Sequence, residues 1–328
     1  MTGLKQWRRR GAVWLTALAL LAVPLPLSGC DKTVQKEEVQ QEEQYTLSQI
    51  MTIAATERNR YQKVYTSQIW EAVTDENGTT MKDMLLAQVK TFLEDLGTMN
   101  LLARERGIEI SGTELDRLHR LGQAYFQELT KGDLEYIQVT EQEIISLYEK
   151  YYLANKLVSE LTKDVDLEIS DSKAKVIDIL QIVMDSLETA QQVHQEAMAE
   201  DADFEALAKS YSVSDEIQRT LGRGEESSAY EEAAFALEDG QVSPLVTVNG
   251  KYYIIKCVNS YNEEETLIRK SELSLAKKDQ AFRSIYDSFQ AENRTEIPDS
   301  LWSQVTFDGG EECTTTNFFD LYKEYFPE

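Results

Sequence analysis

Few residues of this sequence are of the types that make or break covalent bonds. The chain has three cysteines, Cys30, Cys257 and Cys313, and two histidines, His119 and His194. Each histidine sits on its own helical stretch without a nearby ligand pattern, so most His-based metal sites are excluded. The acidic clusters Glu225-Glu226 and Glu263-Glu264-Glu265 lack calcium-loop spacing. There is no phosphate loop, no Ser-His-Asp arrangement and no dinucleotide fingerprint, and neither metal nor cofactor is expected. Cys30 is different. It closes Leu27-Ser28-Gly29-Cys30, behind the apolar run Gly11 to Leu27 and the basic residues Lys5, Arg8, Arg9 and Arg10. That is the layout of a secretory leader with a small-residue cleavage site. Cys257 and Cys313 could pair in the oxidising compartment such a leader implies, or remain two isolated thiols.

Composition bounds what these residues can serve. Of 328 residues, 58 are acidic and 33 basic, for a net charge of −25, which argues against nucleic-acid binding because phosphates need a surplus of Lys and Arg. Removing residues 1–29 takes away four positive charges and no negative ones, so −25 becomes −29. A chain this acidic is repelled by anionic headgroups. Asp31 to Gln44 is polar and free of apolar periodicity, as a tether would be. Hydrophobic residues at 42% are enough for a core.

The elements that must position any site follow from periodicity. Leu47, Ile50, Ala54, Tyr61, Val64 and Ile69 recur at helical steps, and Asn77-Gly78 is a turn. A second helix is expected from Thr80 to Arg106, stopped by Gly107. Ser111-Gly112-Thr113-Glu114 and Thr140-Glu141-Gln142-Glu143 are capping boxes that open helices to about Leu129 and Lys163. At Lys173 the pattern changes to a dense β-branched strand, Ala174 to Val183. Helices follow over about 187–200 and 204–211, and Ser228 to Glu231 is expected to cap a third that ends near Leu237. Asn249-Gly250 between two β-branched or aromatic runs is a hairpin signal. Helical period returns from Glu263 to about Ala291, and the aromatic tail, 297–328, is expected to pack on the first domain.

Two resemblances sharpen this reading. Leu27-Ser28-Gly29-Cys30 resembles the lipobox of bacterial lipoproteins, which implies cleavage before Cys30 and a diacylglyceryl group on its thiol. Ala174 to Leu180, Asp203 to Ser212, Glu232 to Ser243 and Gly250 to Lys256, in that order, resemble a parvulin-type peptidyl-prolyl isomerase domain. The wider layout resembles the PrsA and SurA foldases. The implied fold is α+β: a helical chaperone domain, built from N-terminal helices and a returning C-terminal helix, with an inserted parvulin-like domain of antiparallel sheet and helices. The implied division is a leader over 1–29, a lipidated tether over 30–45, a helical domain over 46–170, a parvulin-like domain over 171–260, and a C-terminal helix and aromatic tail over 261–328.

Prolyl isomerisation breaks no covalent bond; it lowers an amide rotation barrier of ~18–20 kcal/mol. Parvulins do this with an apolar slot and a hydrogen-bond network centred on two histidines. By resemblance, one histidine, just before Ile-Leu in the first strand, is replaced here by Asp178, and the other by Tyr253. A carboxylate and a phenol could hydrogen-bond to each other, but an ionised Asp in an apolar slot is costly. Ser214 or Asp215 stands at the acidic or Cys position, Tyr230 where the pocket Phe is expected, and Phe235 with it as a substrate-binding residue. The expected function is a membrane-anchored extracytoplasmic foldase for unfolded secreted polypeptides, with isomerase activity reduced. Met81, Met84, Met99, Tyr125 and Phe126 are expected to offer an adaptable apolar cradle. The alternatives are a non-catalytic holdase or assembly lipoprotein and, from another class, a structural or solute-binding lipoprotein. Dimerisation through the helical domain is left open.

Overall fold

The computed structural model describes residues 45–327. The leader, Cys30 and nearly all of the expected tether lie outside the described residues. The rest divides into two compact units, one of residues up to Asp164 together with Ala281 onward, the other Val165–Gln280.

The first unit is helical. Its helices are α1 (Leu47–Val64), α2 (Met81–Glu105), α3 (Gly112–Glu128), α4 (Lys131–Ile137) and α5 (Glu141–Thr162). Each starts at a residue whose hydroxyl accepts the N–H three positions on: Thr46, Thr80, Ser111, Thr130 and Thr140. Such a cap satisfies one of the N–H groups that a helix start leaves over. Gly107, at φ 67°, follows α2 in the left-handed region. Gly122 lets α3 meet α5 closely, since a Cβ there would strike Ile145. Met99 and Tyr125 are fully buried core residues rather than parts of an open cradle, which corrects that expectation.

The second unit is α+β. After a short turn of helix, α6 (Asp171–Ala174), come β1 (Val176–Met184), α7 (Leu187–Ala197), α8 (Phe204–Tyr211), β2 (Gln218–Gly222), α9 (Ser228–Phe235), β3 (Val246–Val248) and β4 (Lys251–Asn259). The four strands form one antiparallel sheet in the order β2-β1-β4-β3. Asn249 and Gly250 have φ of 50° and 78°, as the two-residue β3–β4 hairpin requires. Ser228 is the first residue of α9 and not its cap; Glu231 instead turns back to accept the N–H groups of Gly224 and Glu226.

The long helix α10 (Glu263–Asn293) begins in the second unit and ends in the first. The aromatic tail carries α11 (Asp299–Trp302) and α12 (Phe318–Tyr325) and belongs to the first unit. Phe318 stacks on Tyr148 with ring centroids 4.2 Å apart and meets Tyr125 edge-on. Trp70 meets Phe307 edge-on at 5.0 Å.

Candidate functional site

Alternation along a strand sends successive side chains to opposite faces of the sheet. Leu180, Ile182 and Met184 of β1, with Tyr252 and Ile254 of β4, pack under α7 and α8 against Val193 and Phe204. Ile177 and Ile179, with Tyr253 and Ile255, pack under α9 against Tyr230 and Ala234. Gln181 has the same parity as Ile179 and therefore faces α9.

Gln181 is 4% exposed, and both ends of its amide are held. Its Nε2 donates to the Glu216 carbonyl at 2.8 Å, and its Oε1 accepts from the Tyr230 hydroxyl at 2.7 Å. The Glu216 carbonyl can only accept, so the amide orientation is determined. The Tyr230 ring meets the Tyr253 ring edge-on, centroids 5.4 Å apart at 88°. Gln181 pairs across the ladder with Ile255, and Tyr253 with Val183, so Gln181 and Tyr253 are diagonal neighbours on one face, about 7–8 Å apart. Burial raises the Tyr230 pKa above its ordinary value, against the pull of Arg219, so the phenol keeps the proton it donates. Arg219 lies 5.9 Å from the Tyr230 ring and is ion-paired with Glu226 at 2.7 Å. The result is a neutral hydrogen-bonded network beside an apolar wall of Ile179, Val246 and Ile255, with its nearest charge already paired.

The sequence-expected residues are only partly brought together here. Tyr253 and Tyr230 are in direct contact. Asp178 is not with them, which corrects the expected Asp178–Tyr253 pair. It lies five residues along β1 from Val183, the partner of Tyr253, hence about 16 Å away at the strand rise, and on the opposite face. A β-bulge marks the spot, and the Asp178 carboxylate accepts from Thr220 at 3.0 Å and Asn262 at 2.9 Å. It serves as a bracket between β2 and the start of α10. Phe235 lies at the far end of α9 under Arg223, whose guanidinium is 4.2 Å from its ring, and near Lys175. Ser214 lies in the loop beside the site: Val213 donates to the Val183 carbonyl, and Gln181 to the Ile217 carbonyl. The Ser214 hydroxyl, however, accepts from the Glu216 N–H within the loop.

Gln181 was missed because the histidine motif drew attention to the residue before Ile179-Leu180. The missed signal is simple. Gln181 also precedes an apolar pair, Ile182-Val183, and it is the polar residue within a run of otherwise inward-facing apolar ones.

Cys257 and Cys313 are both free and buried. His119 faces Glu149 at 3.5 Å, and His194 lies 3.0 Å from the Ser243 carbonyl. Among the described residues no cluster of His, Cys, Asp and Glu could hold a metal ion, and no helix is long and apolar enough to cross a membrane.

Residues 183–259 match the Rotamase family, the PPIC-type PPIASE domain. Foldase protein PrsA of Caldanaerobacter subterraneus subsp. tengcongensis is 26% identical over 266 residues, covering 74% of this chain and 79% of that protein. Foldase protein PrsA of Streptococcus sanguinis is 26% identical over 203 residues, covering 56% of this chain and 61% of that protein. Among solved structures, the peptidylprolyl isomerase PrsA of Bacillus cereus aligns with a TM-score of 0.36 at 18% identity, covering 77% of this chain and 97% of that one. The matched segment holds Ser214, Tyr230, Phe235 and Tyr253 and begins two residues after Gln181.

Proposed function

We propose that this PrsA-like parvulin foldase works outside the cytoplasm, tethered to the membrane by a lipid on Cys30, where it binds unfolded secreted polypeptides. Its leader and the similarity to PrsA support that placement. The acidic chain stands off the bilayer on the 30–45 tether. The α+β unit takes Xaa-Pro segments against Tyr253 and lowers their rotation barrier, with Gln181 in the role first given to Asp178.

The observation that carries this is the Gln181–Tyr230–Tyr253 contact. A twisting prolyl amide loses resonance, and a fixed charge beside it would favour one end state over the twisted one. A neutral amide and phenol avoid that. Yet Gln181 has both ends of its amide committed within the protein, so it offers an incoming amide less than a free donor would. The activity is therefore expected to be lower than that of a two-histidine site.

The test is NMR exchange spectroscopy on a series of Xaa-Pro peptides. The chain should accelerate cis/trans exchange. Gln181→Ala and Tyr253→Ala should each cut the acceleration about tenfold, or ~1.4 kcal/mol, the first by removing the acceptor of the Tyr230 hydroxyl and the second by removing the ring that Tyr230 packs on. Asp178→Ala should leave it within about twofold, since Asp178 touches no part of the network. No acceleration for any peptide would leave the α+β unit a binding module, and the chain a holdase.

A further inference from the structure

The tail segment 305–317 has no helix or strand of its own. Its main chain is held instead by side chains of the helical unit. Arg58, 2% exposed, donates to the carbonyls of Gly309 and Gly310 at 2.9 Å each and to that of Phe307 at 3.3 Å. Asn59 donates to the Thr315 carbonyl at 2.9 Å, and Tyr136 to the Thr306 carbonyl at 2.8 Å. Asp133, 1% exposed, accepts the N–H groups of Thr314 at 2.6 Å and Thr315 at 2.9 Å. Gly132 lets the main chain of Glu312 lie directly on α4, where a Cβ would collide with the Glu312 carbonyl. Next along the tail, Phe318 fills an aromatic slot against Tyr125 and Tyr148.

The buried charges of Arg58 and Asp133 read main-chain groups of the tail. Other contacts read its side chains: Trp70 meets Phe307, Tyr125 hydrogen-bonds the Thr315 hydroxyl at 2.9 Å, Asn59 donates to Cys313 Sγ at 3.5 Å, and Lys82 pairs with Asp308 at 3.0 Å. Main-chain groups and aromatic rings are the chemistry an unfolded polypeptide presents: unpaired carbonyls and N–H groups with scattered aromatic residues. A strand added to a sheet edge is recognised through its main chain in the same way. Here the donors and acceptors stand on helices that need not change to accept a different occupant. Arg58 and Asp133 cannot be left empty, because a buried charge without partners is severely penalised. Lifting of the tail alone is therefore costly, and another main chain that takes over these partners lowers that cost.

We propose that the groove formed by α1, α3, α4 and α5 is a client-binding site for extended unfolded polypeptide, and that tail residues 305–318 are its resident occupant, displaced when a client binds. This rests on the foldase reading above and names the site at which it acts. It makes client binding a competition, with the tail setting how much affinity remains for a client.

The experiment uses the full chain with Cys30→Ser and Cys257→Ser, so that buried Cys313 is the remaining thiol. Burial raises the Cys313 thiol to about 11, so a maleimide reaches it as a thiolate only when the tail lifts. The client is reduced, carboxymethylated α-lactalbumin, which has no free thiol, and its binding is followed by fluorescence anisotropy. Saturating client should speed Cys313 labelling about tenfold or more, as expected when a local opening is trapped. Gly132→Ala keeps a good helix former in α4 but pushes the tail away. It should speed labelling without client and tighten client binding about tenfold. Client binding with unchanged labelling would overturn the proposal and leave the foldase reading intact. Faster labelling in Gly132→Ala with no gain in client affinity would do the same. No anisotropy change with either protein would overturn both.

Discussion

Arg58 and Asp133 in the helical unit, and Gln181 and Tyr230 in the α+β unit, are all buried polar groups with every main partner inside the protein. They are held by opposite means. Arg58 and Asp133 are charged side chains with no ion-pair partner among the described residues; main-chain groups of the tail solvate each, helped by Asn59 at Arg58 and by Thr130 at Asp133. Burial pushes the Asp133 carboxyl upward, but the hydrogen bonds from Thr130, Thr315 and Thr314 outweigh it and hold it below its ordinary value. Gln181 and Tyr230 form a neutral pair, and their nearest charge, Arg219, is already bound to Glu226. The difference follows from what each must hold. An irregular segment offers many carbonyls and N–H groups and no ladder, and charge-assisted hydrogen bonds are about twice as strong as neutral ones. On the proposed reading, the α+β site instead meets a prolyl amide in mid-rotation, which needs shape and neutral partners.

The sharpest way to break that comparison is to remove the charge that holds the tail. Arg58→Ala leaves the carbonyls of Phe307, Gly309 and Gly310 without their donor, and should lower stability by about 3–5 kcal/mol. Trp70 and Trp302 both belong to the helical unit and respond in urea denaturation followed by tryptophan fluorescence. Arg58→Met preserves the side-chain bulk and should be nearly as damaging. If Arg58→Met is as stable as the parent, packing rather than charge holds the segment, and the contrast between the units disappears.

The neutral pair should be worth less. Tyr230→Phe keeps the ring against Tyr253 and leaves the Gln181 carbonyl oxygen buried without a donor, at a cost of about 1–3 kcal/mol. The loss should appear as faster amide exchange in β1 and β4, with the tryptophan transition of the helical unit unmoved. A shift in both would mean that the network supports more than its own unit.

What was legible in the sequence was local. The capping boxes at Ser111 and Thr140 and the Asn249-Gly250 turn depend on residues no more than three positions apart, and each is formed. The strand β2, Gln218–Gly222, was not legible. Its residues are mostly polar and lack a β-branched run, and it is a strand because β1 pairs with it at the sheet edge. The helix α4 carried a readable signal, Thr130 with Asp133 three residues on, which went unused. At the site, residue types misled where strand parity would not have. Asp178 and Gln181 both precede an apolar pair, but an offset of three residues puts them on opposite faces, and the face follows from pairing with β4. The roles of Arg58 and Asp133 could not be seen locally at all, since their partners lie some 180 to 250 residues further along the chain.

The smallest expected effect concerns a charge of the helical unit that faces water. Glu114 caps α3 through the Ser111 N–H, pairs with Lys156 at 2.7 Å and accepts from the Tyr152 hydroxyl at 2.6 Å. Partial burial pushes its carboxyl upward, but the bonds from Lys156, Tyr152 and Ser111 prevail and hold it at about 2, against an ordinary 4.5. A depressed folded-state value means that the unfolded chain binds the proton first. The stabilisation is therefore complete above pH 4.5 and is lost as pH falls from 4.5 toward 2. Since the carboxylate is about a quarter exposed, solvent screening reduces the effect to roughly 1 kcal/mol. Glu114→Gln should abolish that part of the acid dependence while costing little near pH 2, as read from urea midpoints at matched pH. In the α+β unit the Gln181–Tyr230 pair titrates nowhere in this range, so isomerase activity per folded molecule should stay level as the helical unit weakens. If the two fall together with pH, and Glu114→Gln uncouples them, the units are energetically linked, and the division between a charged and a neutral region is one of chemistry only.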